Sequence, residues 1–161
     1  MRHATLFLAS LTLVAAAACR GSDKATGPLA VALAADGNVT MVVDGTPWRS
    51  AKSGDHVTLS NRILSLSAIG DSGGTHSLII TLSGVLGSAT YPLNAASPSN
   101  AIISNPTGGW GTGFAGGTGS VTITAIDATH VVGTFSFDAR PGSGSATGTV
   151  SVRSGLFDLA F

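Results

Sequence analysis

Val131-Val132-Gly133-Thr134-Phe135-Ser136-Phe137-Asp138 is the stretch that decides the fold. Positions 131, 133, 135 and 137 are apolar or glycine, and they alternate with Val132, Thr134, Ser136 and Asp138. A period of two puts the two sets on opposite faces of a strand, one buried and one wet, as in antiparallel sheet. Upstream, Val121, Ile123 and Ala125 alternate with Thr122 and Thr124, and Asp127-Ala128-Thr129 marks a break. Downstream, residues 141–145 read as a loop. Val150 and Val152 then alternate with Thr149, Ser151 and Arg153. Ser154-Gly155 reads as a tight turn into a final strand, where Phe157, Leu159 and Phe161 share one face. Phe135, Phe137, Phe157, Leu159 and Phe161 are all expected to point into the core.

The same signal recurs towards the N-terminus. Val39, Met41 and Val43 alternate with Thr40 and Val42 ahead of the turn pair Asp44-Gly45. Leu64, Leu66 and Ala68 alternate with serines, and Leu78, Ile80 and Leu82 alternate with Ile79, Thr81 and Ser83. Residues 56–59 read as a short strand, and 90–93 and 101–104 as weaker ones. Pro92 confines the 90–93 strand to a sheet edge or an irregular position. Residues 108–119 are glycine with two aromatics, Trp110 and Phe114. They read as a bulged strand or wide loop whose rings cover the core edge, or as an aromatic-bearing binding loop. The chain has 22 Gly, no Glu, no Gln and only two Lys, so the straight-chain helix formers are nearly missing. These features predict an all-β domain, an antiparallel β-sandwich or barrel of about eight or more strands.

The first 19 residues address the protein. Met1-Arg2-His3 is a basic start, an apolar run follows from residue 6 to 18, and Ala16-Ala17-Ala18 precedes Cys19, the single cysteine. This is the pattern of a secretory signal peptide with a small-residue cleavage site. The run is too short for a membrane span, which needs about 20 residues. Residues 16–19 resemble the lipobox of bacterial lipoproteins, with Ala16 where Leu is usual. The resemblance implies cleavage before Cys19 and lipidation of its thiol, giving a membrane anchor. The expected organisation is a signal peptide over 1–18, a lipidated tether over 19–37 and an all-β domain over 38–161. Arg20 follows the cysteine in place of Asp, which favours the outer membrane of the cell envelope. Residues 29–35 are apolar, which is unusual for a linker, and read as a strand or short helical turn that docks on the domain.

Charge and motifs narrow the chemistry. Formal net charge is zero, so there is no basic excess for nucleic acid and no polybasic patch for anionic lipid. His56, His76 and His130 have no ligand spacing, and no aspartate run forms a calcium loop, so neither a metal nor a cofactor is expected. Gly70-Asp71-Ser72-Gly73-Gly74 matches the nucleophile motif of chymotrypsin-like serine proteases. Only His56 lies upstream of it in the mature chain, outside any matching context, so the pentapeptide reads as a turn between strands. Residues 111–116 spell a dinucleotide fingerprint, but no helix pattern follows them.

Three elements resemble a family of uncharacterised all-β lipoproteins of Bacteroidota and related bacteria. They are Val43-Asp44-Gly45-Thr46-Pro47-Trp48, Gly133-Thr134-Phe135-Ser136-Phe137 and Gly155-Leu156-Phe157-Asp158-Leu159. The resemblance implies an all-β domain on a lipid anchor and carries no catalytic residues. The leading expectation is a lipid-anchored, non-enzymatic envelope domain that is structural or binds a protein or glycan partner. The alternatives are a carbohydrate- or small-ligand-binding module that stacks its ligand on Trp48, Tyr91 or Trp110, and a serine hydrolase acting through Ser72.

Overall fold

The computed structural model describes residues 38–70 and 76–161. Cys19, the segments 1–18 and 19–37, and Ser72 lie outside the described residues. Eleven strands form in chain order: β1 (Val39–Val43), β2 (Thr46–Arg49), β3 (His56–Ser60), β4 (Ile63–Ile69), β5 (Ser77–Ser83), β6 (Ala89–Asn94), β7 (Asn100–Asn105), β8 (Gly108–Gly111), β9 (Thr118–Ile126), β10 (His130–Gly144) and β11 (Val150–Ala160). One turn of 3₁₀ helix, Lys52–Gly54, joins β2 to β3. The strands make one antiparallel sheet, ordered β2-β1-β11-β10-β8-β7-β5-β4-β3. β9 pairs with β10 and carries β6 on its other side. The sheet curls into a half-barrel. The fold is all-β, as the alternation predicts.

β10 organises the curl. Its residues 131–138 pair with β9 and its residues 140–144 with β8. The chain leaves β10 between Gly111 and Thr118, and β6 and β7 follow the same split, pairing with β9 and β8 respectively. The loop expected at 141–145 is thus mostly strand. Pro141 sits opposite Trp110, beside a register shift that accommodates a residue without an N–H. Among the described residues β6 pairs only with β9, so Pro92 lies on an edge strand, where its missing donor is tolerated.

The turn expected at Ser154-Gly155 is a bulge inside β11. Phe135 pairs with Gly155 and Phe137 with Val152, so three steps on β11 face two on β10. β1 shows the same offset, with Thr40 opposite Leu156 and Val42 opposite Arg153. Ser154 takes φ +51°, and Arg153 and Ser154 are both exposed. The extra residue switches the inward set from Val150 and Val152 to Gly155, Phe157 and Leu159. Asp44-Gly45 is the predicted hairpin turn, with φ positive at both residues (+48° and +84°). Asn61-Arg62 makes an equivalent turn without glycine.

Inward residues of all the long strands meet in one core. Its centre is three phenylalanines, with Phe135 stacked 6.2 Å from Phe137 and 6.3 Å from Phe157 between ring centroids. Glycines make room for the rings. Gly133 lies opposite Phe157, and Gly155 opposite Phe135. Phe135, Phe137, Phe157 and Leu159 are buried as expected. Phe161 is not: it is 43% exposed, because the strand ends at Ala160 and nothing among the described residues covers the last ring.

Candidate functional site

Two regions of the half-barrel carry side chains beyond those needed for simple alternation. The first is the seam where the chain after β2 meets the end of β4. Ser50 makes an isolated bridge to Gly70, and the Ala51 N–H donates to the Ile69 carbonyl at 2.7 Å. Ser50 is 2% exposed; its Oγ accepts the Val39 N–H at 2.8 Å and donates to Asp55 Oδ2. The other carboxylate oxygen, Asp55 Oδ1, is buried and has no hydrogen-bond partner among the described residues. Burial raises the Asp55 pKa above its usual value, against the opposing pull of the Ser50 hydroxyl, the Val39 backbone and His56. Sequence reading missed this pair. Its members are polar residues five apart around a turn, a pattern too common to single out.

The sign of that shift gives a testable pH dependence. A carboxyl whose pKa is higher in the folded state favours folding most when protonated, below its unfolded pKa. That contribution is lost as pH rises through the folded value. Asp127 and Asp138 act in the opposite sense. Asp127 is held low by N–H and O–H donors from Thr129 and the His130 N–H, and Asp138 by the Ser151 hydroxyl and then Arg153. Their contributions are lost as pH falls. In urea titrations between about pH 3 and pH 7, Asp55→Asn should therefore gain stability relative to wild type as pH rises. A stability difference that is constant, or that moves in favour of wild type with rising pH, would refute the assignment to Asp55.

The histidines do not come together in one site. His76 borders a cavity with Asp44, Pro47 and Trp48. His56 borders another with Ser67, Ile69 and Ile79. His130 is exposed at the β9–β10 turn, its Nδ1 3.3 Å from the Thr129 hydroxyl. No group of three potential metal ligands occurs among the described residues. The three aromatics read as stacking platforms lie in the core. Trp48 and Tyr91 are 9% exposed and Trp110 is 8% exposed. Trp110 Nε1 donates to the Thr147 carbonyl at 3.1 Å, whereas Trp48 Nε1 is buried without a partner. Stacking a ligand on any of these rings would require the ring to leave its packing. In the glycine-rich stretch the two rings part company: Trp110 is in the core, but Phe114 is 43% exposed.

The second region is the outer face of β3, β4, β5, β7 and β8. Ser67, Ile79, Ile102 and Gly111 are consecutive cross-strand partners and form one row. Ile79 and Ile102 are exposed. The Phe114 ring extends the row, because a Cβ on Gly111 would stand 3.0 Å from its Cε2. The next row holds exposed Ile69, then Ser77 and Ser104, whose hydroxyls are 2.8 Å apart. On the other side lie Thr58, Ser65, Thr81 and Asn100. The result is an apolar row bordered by short hydroxyl and amide side chains. Alternation identified Ile79 as outward, but only the register shows that Ile102 lies beside it.

The chain matches no curated protein and no solved structure. A family profile described as "Domain of unknown function (DUF6252)" matches residues 36–158, which takes in all eleven strands but for the last two residues of β11. The chain therefore belongs to the DUF6252 family.

Proposed function

We propose that this protein is a lipid-anchored domain of the bacterial cell envelope, favouring the outer membrane, that binds a protein partner and is not an enzyme. The observation that carries the binding role is the exposed row of Ile79, Ile102 and Phe114 on a face whose other outward side chains are mostly Ser, Thr and Asn, with exposed Ile63 and Ile69 at the two ends of β4. Contiguous apolar surface rimmed by polar residues marks interaction sites on soluble domains. The short hydroxyl side chains around them leave the isoleucines accessible. The anchor is supported by the leader and by Cys19, the single cysteine of the chain. Two acyl chains or more would hold the domain stably at the membrane.

Two measurements test this reading. Cells fed a clickable fatty acid should label the wild-type protein and not Cys19→Ala, and the variant should leave the membrane fraction and keep its leader. Labelling or normal processing of Cys19→Ala would remove the anchor from the proposal. For the binding role, a photo-crosslinking residue at 79 or 102 should give an adduct of one discrete mass in living cells. The same residue at Leu86, also exposed but off the row, should not. Equal adducts from all three positions, or none, would reject the face as a binding surface.

A further inference from the structure

Along the seam between β3 and the end of β11, two side chains of the inward set are left open. Leu59 alternates with buried Val57, and both face across to buried partners, Leu64 and Leu66. Yet Leu59 is 42% exposed. Phe161 follows Phe157 and Leu159 in the inward set and is also exposed. Both border one cavity of about 390 Å³, together with Val57, Thr58, Asp127 and Ala128. Among the described residues β3 pairs only with β4, so its other edge offers backbone groups to an added strand.

We infer that residues 29–35 of this same chain occupy that seam, pairing with the free edge of β3 and filling the cavity beside Leu59 and Phe161. Three observations point to this occupant. The first is position. β1 enters antiparallel to β11 with Val39 opposite Phe157, so β1 continued backwards would reach the level of Phe161 at residue 35. Four residues of strand span about 13 Å, so the upstream chain is delivered to the mouth of the cavity. The second is pattern. Leu29, Val31 and Leu33 have the same odd parity as Val39, Met41 and Val43, the buried set of β1, and alanines 30, 32 and 34 fall between them. The inward face of β1 is thus written on into the tether. The third is the exclusion of a local hairpin. β1 has β2 on one side and β11 on the other, so the segment cannot fold back onto β1 as a hairpin.

A disulfide trap tests the inference, because Cys19 is the single native cysteine. In the chain from residue 19 with Cys19→Ser, Leu33→Cys combined with Leu59→Cys should form an intramolecular disulfide under mild oxidation. Leu33→Cys combined with Ile102→Cys, on the outer face of the sheet, should not. Leu33→Asp, with no added cysteine, should speed amide exchange at Val57 and Leu59, whose N–H groups point away from β4, while leaving β10 unchanged. No cross-link at 33/59, or equal cross-linking in both pairs, would overturn the inference. So would a 33/59 product found only as a dimer, which would give the seam to a second copy. Unchanged exchange in β3 would overturn it independently of any effect of the cysteines on folding.

Discussion

Phe137→Ala and Phe157→Ala are each expected to cost about 3–5 kcal/mol of stability. That is a large part of the ~5–15 kcal/mol that holds a typical domain together. Both rings are 1% exposed, and both lie within reach of Phe135 at the centre of the core. Truncating either removes apolar burial and leaves a cavity whose walls are strands fixed by hydrogen bonds on both sides, which limits collapse. Thr134 and Ser136 belong to the same strand but face solvent. Their alanine variants should change stability by no more than about 0.5 kcal/mol. Urea titration of the four variants decides the matter. Comparable losses on both faces of β10 would mean that its outer face is covered too, and the one-sided core would be wrong.

The second large effect is steric. Gly155→Ala should destabilise by about 1–3 kcal/mol through overpacking. A Cβ at this position would stand 2.4 Å from Phe135 Cδ2, and the next two nearest atoms, at 2.5 and 2.6 Å, belong to the same ring. The conflict is therefore with one side chain and not with backbone. In a Phe135→Ala background the added methyl should be tolerated, and the cycle should show a coupling of about 0.5–3 kcal/mol. If Gly155→Ala costs the same in both backgrounds, the ring-over-glycine packing is not what requires glycine there. Gly133 is a stricter case. Its Cβ would meet Phe157 Cζ at 2.4 Å and also the Thr122 carbonyl oxygen at 2.5 Å, which no partner substitution relieves.

Alternation made the sheet legible because burial on one face writes itself into every second residue. It also gave the facing of Ile79, while proline's missing donor narrowed Pro92 to an edge or an irregular position. It failed where local chemistry has two outcomes. Ser154-Gly155 interrupts the period, and a positive φ is needed there in either reading. A turn and a bulge place the same demands on the two residues, and only β10 and β1 running unbroken alongside distinguish them. Phe161 shows another limit. Parity fixes which way a side chain points but not whether anything lies in front of it. The candidate binding face was hidden for a related reason. Ile79 and Ile102 are 23 positions apart in sequence, and only strand register makes them neighbours. Trp48, Tyr91 and Trp110 carry the opposite lesson. A lone aromatic in a β-rich chain has the same sequence signature on a surface as in a core.

The pairing of β1 with β11 has a consequence for how the protein is made. Val39 meets Phe157, and between them lies nearly the whole domain. A chain emerging from a ribosome presents the β1–β2 hairpin first, and β1 cannot find its second partner until β11 is out. Closing so long a loop is slow, and sheets rich in distant pairings fold late. The early hairpin has little to nucleate on, and a two-stranded hairpin alone is marginal in water. The architecture thus completes the sheet only when β11 joins β1 to β10.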